Sequence, residues 1–138
     1  MICVECGQQT LGRQTEATAA TASTTVTLTP VTIGTCPAGH RTVTPRVDVV
    51  VTQIRDQLTV ARRRRLGRND RCGDCGADLV MPPRHTQTPV PVVVDGEVTT
   101  VLIECTMVRC PDCGREQVPS AVDADLEAAV SMAVEQAD

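Results

Sequence analysis

Eight side chains in this sequence have the types and spacing needed to hold metal ions. Cys3 with Cys6, Cys72 with Cys75, and Cys110 with Cys113 form three Cys-x-x-Cys pairs, and Cys36 with His40 forms a Cys-x-x-x-His pair. A two-residue gap lets two thiolates of one tight knuckle face a single ion, and a second knuckle from a distant segment completes the ligand set. In chain order the pairs make two sets: Cys3, Cys6, Cys36 and His40, then Cys72, Cys75, Cys110 and Cys113. Each set meets the tetrahedral sulfur and nitrogen requirement of a closed structural site, so two structural Zn2+ ions are expected. Iron in a rubredoxin-like site is an alternative for the four-cysteine set only. A disulfide framework would suit a secreted chain. The knuckle spacing, and the lack of a leader ahead of Cys3, point away from it. Cys105 is left over in the apolar run Val101-Leu102-Ile103-Glu104-Cys105 and is expected to be buried and inert.

The elements that must position these ligands follow the same order twice. Cys3-Val4-Glu5-Cys6-Gly7 is answered by Cys72-Gly73-Asp74-Cys75-Gly76, and Cys36-Pro37-Ala38-Gly39-His40-Arg41 by Cys110-Pro111-Asp112-Cys113-Gly114-Arg115. A proline then precedes a helical pattern in each half, Pro45 in one and Pro119 in the other. The chain reads as a tandem duplication in which the first copy carries His where the second has its fourth cysteine. Between the knuckles of the second half, Val90 to Val94 and Val98 to Ile103 flank Asp95-Gly96, which predicts a β-hairpin. In the first half Val26, Leu28, Val31 and Ile33 alternate with threonines around Pro30, which predicts a shorter or edge-type pair. The Thr/Ala-rich stretch from Thr15 to Thr25 reads as a loop.

Two helices are expected. Pro45 suits a first helical position, and Val47, Val50, Val51, Ile54, Leu58 and Ala61 recur at helical spacing, placing the arginines that follow in the last turn. Ser120 and Asp123 resemble a capping box ahead of a stripe of Val122, Leu126, Ala129, Val130, Ala133 and Val134. Each stripe is expected to pack on its own ribbon. The fold class is therefore α+β, small and metal-stabilised, with two tandem zinc-ribbon modules. These span residues 1–61 and 72–138, joined by an arginine-rich hinge at 62–71.

Composition sets further bounds. Each half is near the size at which a hydrophobic core alone is marginal. Structural zinc sites supply about 10–16 kcal/mol of apparent binding energy, enough to make up the shortfall. The 138 residues include no Phe, Trp or Tyr, so aliphatic side chains must fill the core and no aromatic platform exists on which to stack bases. Lysine is also absent and asparagine nearly so, a bias that a GC-rich genome explains. The net charge of −4 conceals a division. Residues 1–61 are balanced, and residues 62–71 hold Arg62, Arg63, Arg64, Arg65, Arg68 and Arg71 against Asp70. Residues 72–138 are acidic. The arginines are candidates for contact with nucleic-acid phosphates or with an acidic partner, including the acidic half itself.

The second half resembles the YgiT-type zinc finger, the N-terminal module of MqsA-type antitoxins. Arg71-Cys72-Gly73-Asp74-Cys75-Gly76-Ala77-Asp78-Leu79-Val80, a valine-rich hairpin, Arg109-Cys110-Pro111-Asp112-Cys113-Gly114-Arg115-Glu116 and Pro119 before a helix carry that resemblance. It implies a structural zinc on the four cysteines and contact with a toxin. It does not extend to operator binding, because no helix-turn-helix can be found. Catalysis is not expected, since both ligand sets are complete without water and His85, the one other imidazole, sits in a loop by composition. The sequence thus predicts a non-enzymatic zinc-binding protein-interaction module, antitoxin-like or part of a larger assembly. Nucleic-acid association through Arg62–Arg71 is the alternative, and rubredoxin-like electron transfer a third. A protein partner is expected, with neither membrane nor small-molecule substrate. The expected place is the cytoplasm or a particle assembled inside the cell.

Overall fold

A computed structural model describes residues 2–63 and 69–137. Its elements are β1 (Leu11–Ala20), β2 (Thr25–Thr35), β3 (Arg41–Thr44), α1 (Val47–Gln57), β4 (Thr59–Val60), β5 (Arg84–Val94), β6 (Glu97–Arg109), β7 (Glu116–Val118) and α2 (Ser120–Gln136). The result is an α+β fold with one mixed sheet and two helices. The expected second-half hairpin is present and longer than predicted, with β5 and β6 joined through Asp95 (φ 51°) and Gly96 (φ 80°). Two consecutive positive φ values are the turn that matches strand twist, and Asp-Gly supplies them at low steric cost.

The first half differs from its expectation. Thr15 to Ala20 are strand, not loop: β1 pairs with β2 from Leu11↔Thr35 to Ala20↔Thr25, with a register shift between Thr15 and Ala17. Ala17 and Ala19 are buried, and α2 packs over this strand. Small side chains there let a helix approach closely, which offsets the weak strand propensity of alanine. β2 is central, not an edge. It pairs with β6 over Thr25–Thr29 and with β3 over Thr32–Thr35, so Pro30 falls between two neighbours, where no ladder donor is required. Thr99 Oγ1 donates to the Pro30 carbonyl at 3.0 Å.

The β2–β6 seam joins the two halves. Thr27 pairs with Leu102 and Leu28 with Val101, and Cys110 follows Cys36 by 110 − 36 = 74 residues. Adding 74 to Thr27 gives Val101, and subtracting 74 from Leu102 gives Leu28, so each of these pairs is the image of the other. The seam is self-complementary, like the interface of a two-fold dimer.

Each helix lies over the other half's hairpin. α1 covers β5 and α2 covers β1 and β2, contrary to the expectation that each stripe would pack on its own ribbon. The side chain of Gln53 donates to the Val93 carbonyl (2.7 Å) and accepts from the Val93 amide (2.9 Å), and Gln57 donates to the Pro91 carbonyl (2.6 Å). Arg55 ties the helices together through a fork to Asp123 (3.1 and 2.9 Å) and a bond to Glu127 (3.0 Å). One apolar cluster therefore draws on both halves, with Val26, Leu28, Val31 and Ile54 from the first and Val90, Ile103, Leu126 and Val130 from the second. The core is thus continuous between the halves.

The described part of the arginine segment, Arg62, Arg63 and Arg71, also departs from the helical expectation. α1 ends at Gln57, and Leu58 is extended, so Leu58 and Ala61 lie outside it. Arg62 and Arg71 exchange backbone hydrogen bonds of 2.8 and 2.9 Å. Arg62, Arg63 and Arg71 are exposed; Arg64, Arg65 and Arg68 lie outside the described residues. The α2 start is not a capping box. Asp70 accepts from the Ser120 amide (2.8 Å) and hydroxyl (2.7 Å), supplying the N-terminal acceptor from 50 residues away. Asp70→Ala should lower stability by about 1 kcal/mol in a denaturant titration of the zinc-loaded protein.

Candidate metal centres

Both predicted ligand sets assemble. In each, one ligand atom per residue lies within 4.8 Å of all the others. In the second set Cys72 Sγ stands 3.7 Å from Cys113 Sγ, and Cys75 Sγ 3.5 Å from Cys110 Sγ. In the first, Cys6 and Cys36 Sγ are 3.6 Å apart and Cys3 Sγ is 3.5 Å from His40 Nδ1. Four sulfurs on a tetrahedral zinc would be separated by about 3.8 Å, while a disulfide needs about 2.05 Å. The spacing suits an ion at the centre of each set, and all eight cysteines are free.

The knuckles form because glycine allows the chain to turn back immediately after the paired ligands. Gly7 (φ 73°) donates to the Cys3 carbonyl at 2.8 Å, and Gly76 (φ 79°) to that of Cys72 at 3.1 Å. Backbone amides then point at sulfur. The Asp74 and Cys75 amides approach Cys72 Sγ at 3.4 Å, the Cys113 amide approaches Cys110 Sγ at 3.5 Å, and the His40 amide approaches Cys36 Sγ at 3.3 Å.

His40 belongs to the first set as predicted. Its Nδ1 faces the sulfurs and its Nε2 stands 3.3 Å from Glu5 Oε2. Donation of Nε2–H to that carboxylate leaves the Nδ1 lone pair for a metal, an arrangement common behind metal-ligating imidazoles. The other imidazole, His85, lies in β5 rather than in a loop and is exposed. Cys105 faces the core, where burial pushes its thiol pKa up, and belongs to neither set.

Gln117 is the functional residue that sequence reasoning missed. It is fully buried on β7, donates from Nε2 to Cys72 Sγ at 2.7 Å and accepts from the Gly73 amide at 2.8 Å. Burial opposes ionisation of Cys72, but the Cys75 and Asp74 amides and the Gln117 carboxamide outweigh it and lower the thiol to about 6. For Cys75 the Ala77 amide favours ionisation, but the Cys110 thiol, desolvation and Cys72 prevail and push it up to about 12. Cys72 is thus favoured as a thiolate, the form in which cysteine binds a metal. Gln117→Leu strips partners from a buried thiolate and a backbone amide. It should destabilise the zinc-loaded protein by about 1–3 kcal/mol, measured by denaturant unfolding.

Gly73 is required by packing. A Cβ there would stand 2.4 Å from the Val60 carbonyl oxygen, because β4 crosses directly over the Cys72–Cys75 knuckle. Among the described residues, no helix is long and apolar enough to cross a membrane. No protein-family profile, curated protein or solved structure matches this chain.

Proposed function

We propose that this chain is a non-enzymatic protein-interaction module held in shape by two structural Zn2+ ions, antitoxin-like or a component of a larger assembly. The two complete four-donor sets carry this reading. Four protein ligands leave zinc no open position for water or substrate, so the metal serves to stabilise rather than to react. The self-complementary seam supports reading the halves as a tandem duplication of one zinc-ribbon unit. The likeness of Cys72–Glu116 to the YgiT-type finger favours a toxin-like protein among partners, on analogy of fold to function.

Native mass spectrometry of the protein purified gently from its own host tests this proposal. The expected result is two zinc ions and a stoichiometric protein partner. Bound nucleic acid, retained at low salt and lost as salt rises, would transfer the function to Arg62, Arg63 and Arg71 and the arginines between them. Iron and a coloured protein would indicate rubredoxin-like electron transfer instead.

A further inference from the structure

We propose that the outer edge of β3 is a docking site for an extended segment of a partner protein. The site would be filled as the matching edge of β7 is filled by Leu58–Ala61. This deepens the protein-interaction reading and rests on it. The sheet runs β1–β2–β6–β7–β4 in one direction, and exchanging the halves turns that path into β5–β6–β2–β3 followed by one more strand. Among the described residues no strand stands in that fifth position.

What fits such an edge is shown by the filled copy. β4 lies parallel to β7 with Thr59↔Gln117 and Val60↔Val118, Ala61 donates to the Val118 carbonyl at 2.8 Å, and Arg62 Nη2 reaches the Gly73 carbonyl at 3.3 Å. Opposite β2 and β6, Arg41↔Thr35 corresponds to Glu116↔Arg109, which makes Val43 the counterpart of Val118. Val118 is 0 % exposed, whereas Val43 is only half-buried. Two open hollows flank β3 and share Val43 and Arg46: one also includes Val4, Glu5, Arg41 and Thr42, the other Val47, Glu127 and Val134. Val4 (89 %) and Ile2 (62 %) stand exposed at the knuckle end. The edge of β5, by contrast, is met by Gln53 and Gln57.

A strand edge binds an extended peptide through main-chain hydrogen bonds, and flanking side chains select it. The expected segment has an apolar residue, two β-branched residues, a small residue and then a basic one, whose side chain would reach the Val4 carbonyl as Arg62 reaches that of Gly73. Val4 occupies the position of Gly73, so its Cβ crowds the incoming backbone. Affinity should therefore rise when it is removed.

The test is a titration of the 15N-labelled, zinc-loaded full chain with a blocked Gln-Leu-Thr-Val-Ala-Arg peptide. Saturable shifts at Thr42, Val43 and Thr44 are expected, with binding about tenfold tighter in Val4→Gly. Binding should be lost in Val4→Arg; both are changes at an exposed position. Absence of shifts in the wild type would overturn the proposal, whatever Val4→Gly does. So would shifts confined to Gln117 and Val118 or to β1 and β5, or a sedimenting dimer whose β3 amides are already protected. A native partner that crosslinks away from β3 would remove this site and leave the proposed function standing. Absence of any partner would remove the function itself.

Discussion

Loss of the metal from the four-cysteine set is expected to unfold the whole chain, not its second half alone. Two independent ribbons on a hinge would let the first survive. Here α1 of the first half rests on β5 of the second, α2 of the second rests on β1 and β2, and β2 pairs directly with β6. A structural zinc site is worth about 10 kcal/mol or more, comparable with the entire stability of a domain this size. Cys110→Ser should therefore abolish amide protection in β1 and β2 as well as in β5 and β6. Hydrogen exchange on the variant measures this. Native-like protection of Val26, Leu28 and Val31 beside an unfolded second half would contradict it.

The second large effect concerns the covalent link. A site-specific protease sequence inserted after Arg65 and cleaved in the zinc-loaded protein should leave the halves associated, eluting at the size of the intact chain until denaturant is added. The exchanged helices place Ile54 of one half and Leu126 of the other in a single buried cluster, so separation would expose apolar surface from both. Free halves at low protein concentration would show that the seam is weak. In the associated case the arginine segment is a connector and its cleavage costs little.

Both candidate ligand sets were legible in the sequence because the geometry of each knuckle is local. Two residues between cysteines, then glycine, dictate a knuckle whatever the rest of the chain does. Asp95-Gly96 announced its hairpin for the same reason. The pairing of knuckles into sets also followed from order alone, since each half closes its own site. What composition concealed was β1, where Thr and Ala resemble a loop until a helix from the far end of the chain is laid over Ala17 and Ala19.

Partnership over long distances was not legible. An apolar helical stripe states that a face is buried and does not say which ribbon covers it, so the exchange of α1 and α2 could not be read from Val50, Ile54 or Leu126. Asp70 caps a helix 50 residues away, and nothing near Ser120 points to it. Gln117 looked like any polar residue beside a knuckle. The one available signal was its alternation with Glu116 and Val118 in a short strand, which puts it on one face but does not place Cys72 there. Gly73 against Val4 was the trace, in two otherwise parallel knuckles, of β4 crossing one and not the other.

The central claim is that two separate four-ligand sets each hold one structural zinc. Native mass spectrometry of the wild type, Cys36→Ser and Cys110→Ser tests it most directly. Two zinc ions in the wild type and at most one in each variant is the predicted result. Retention of both ions in either variant, or a wild type that carries a single ion, would contradict it.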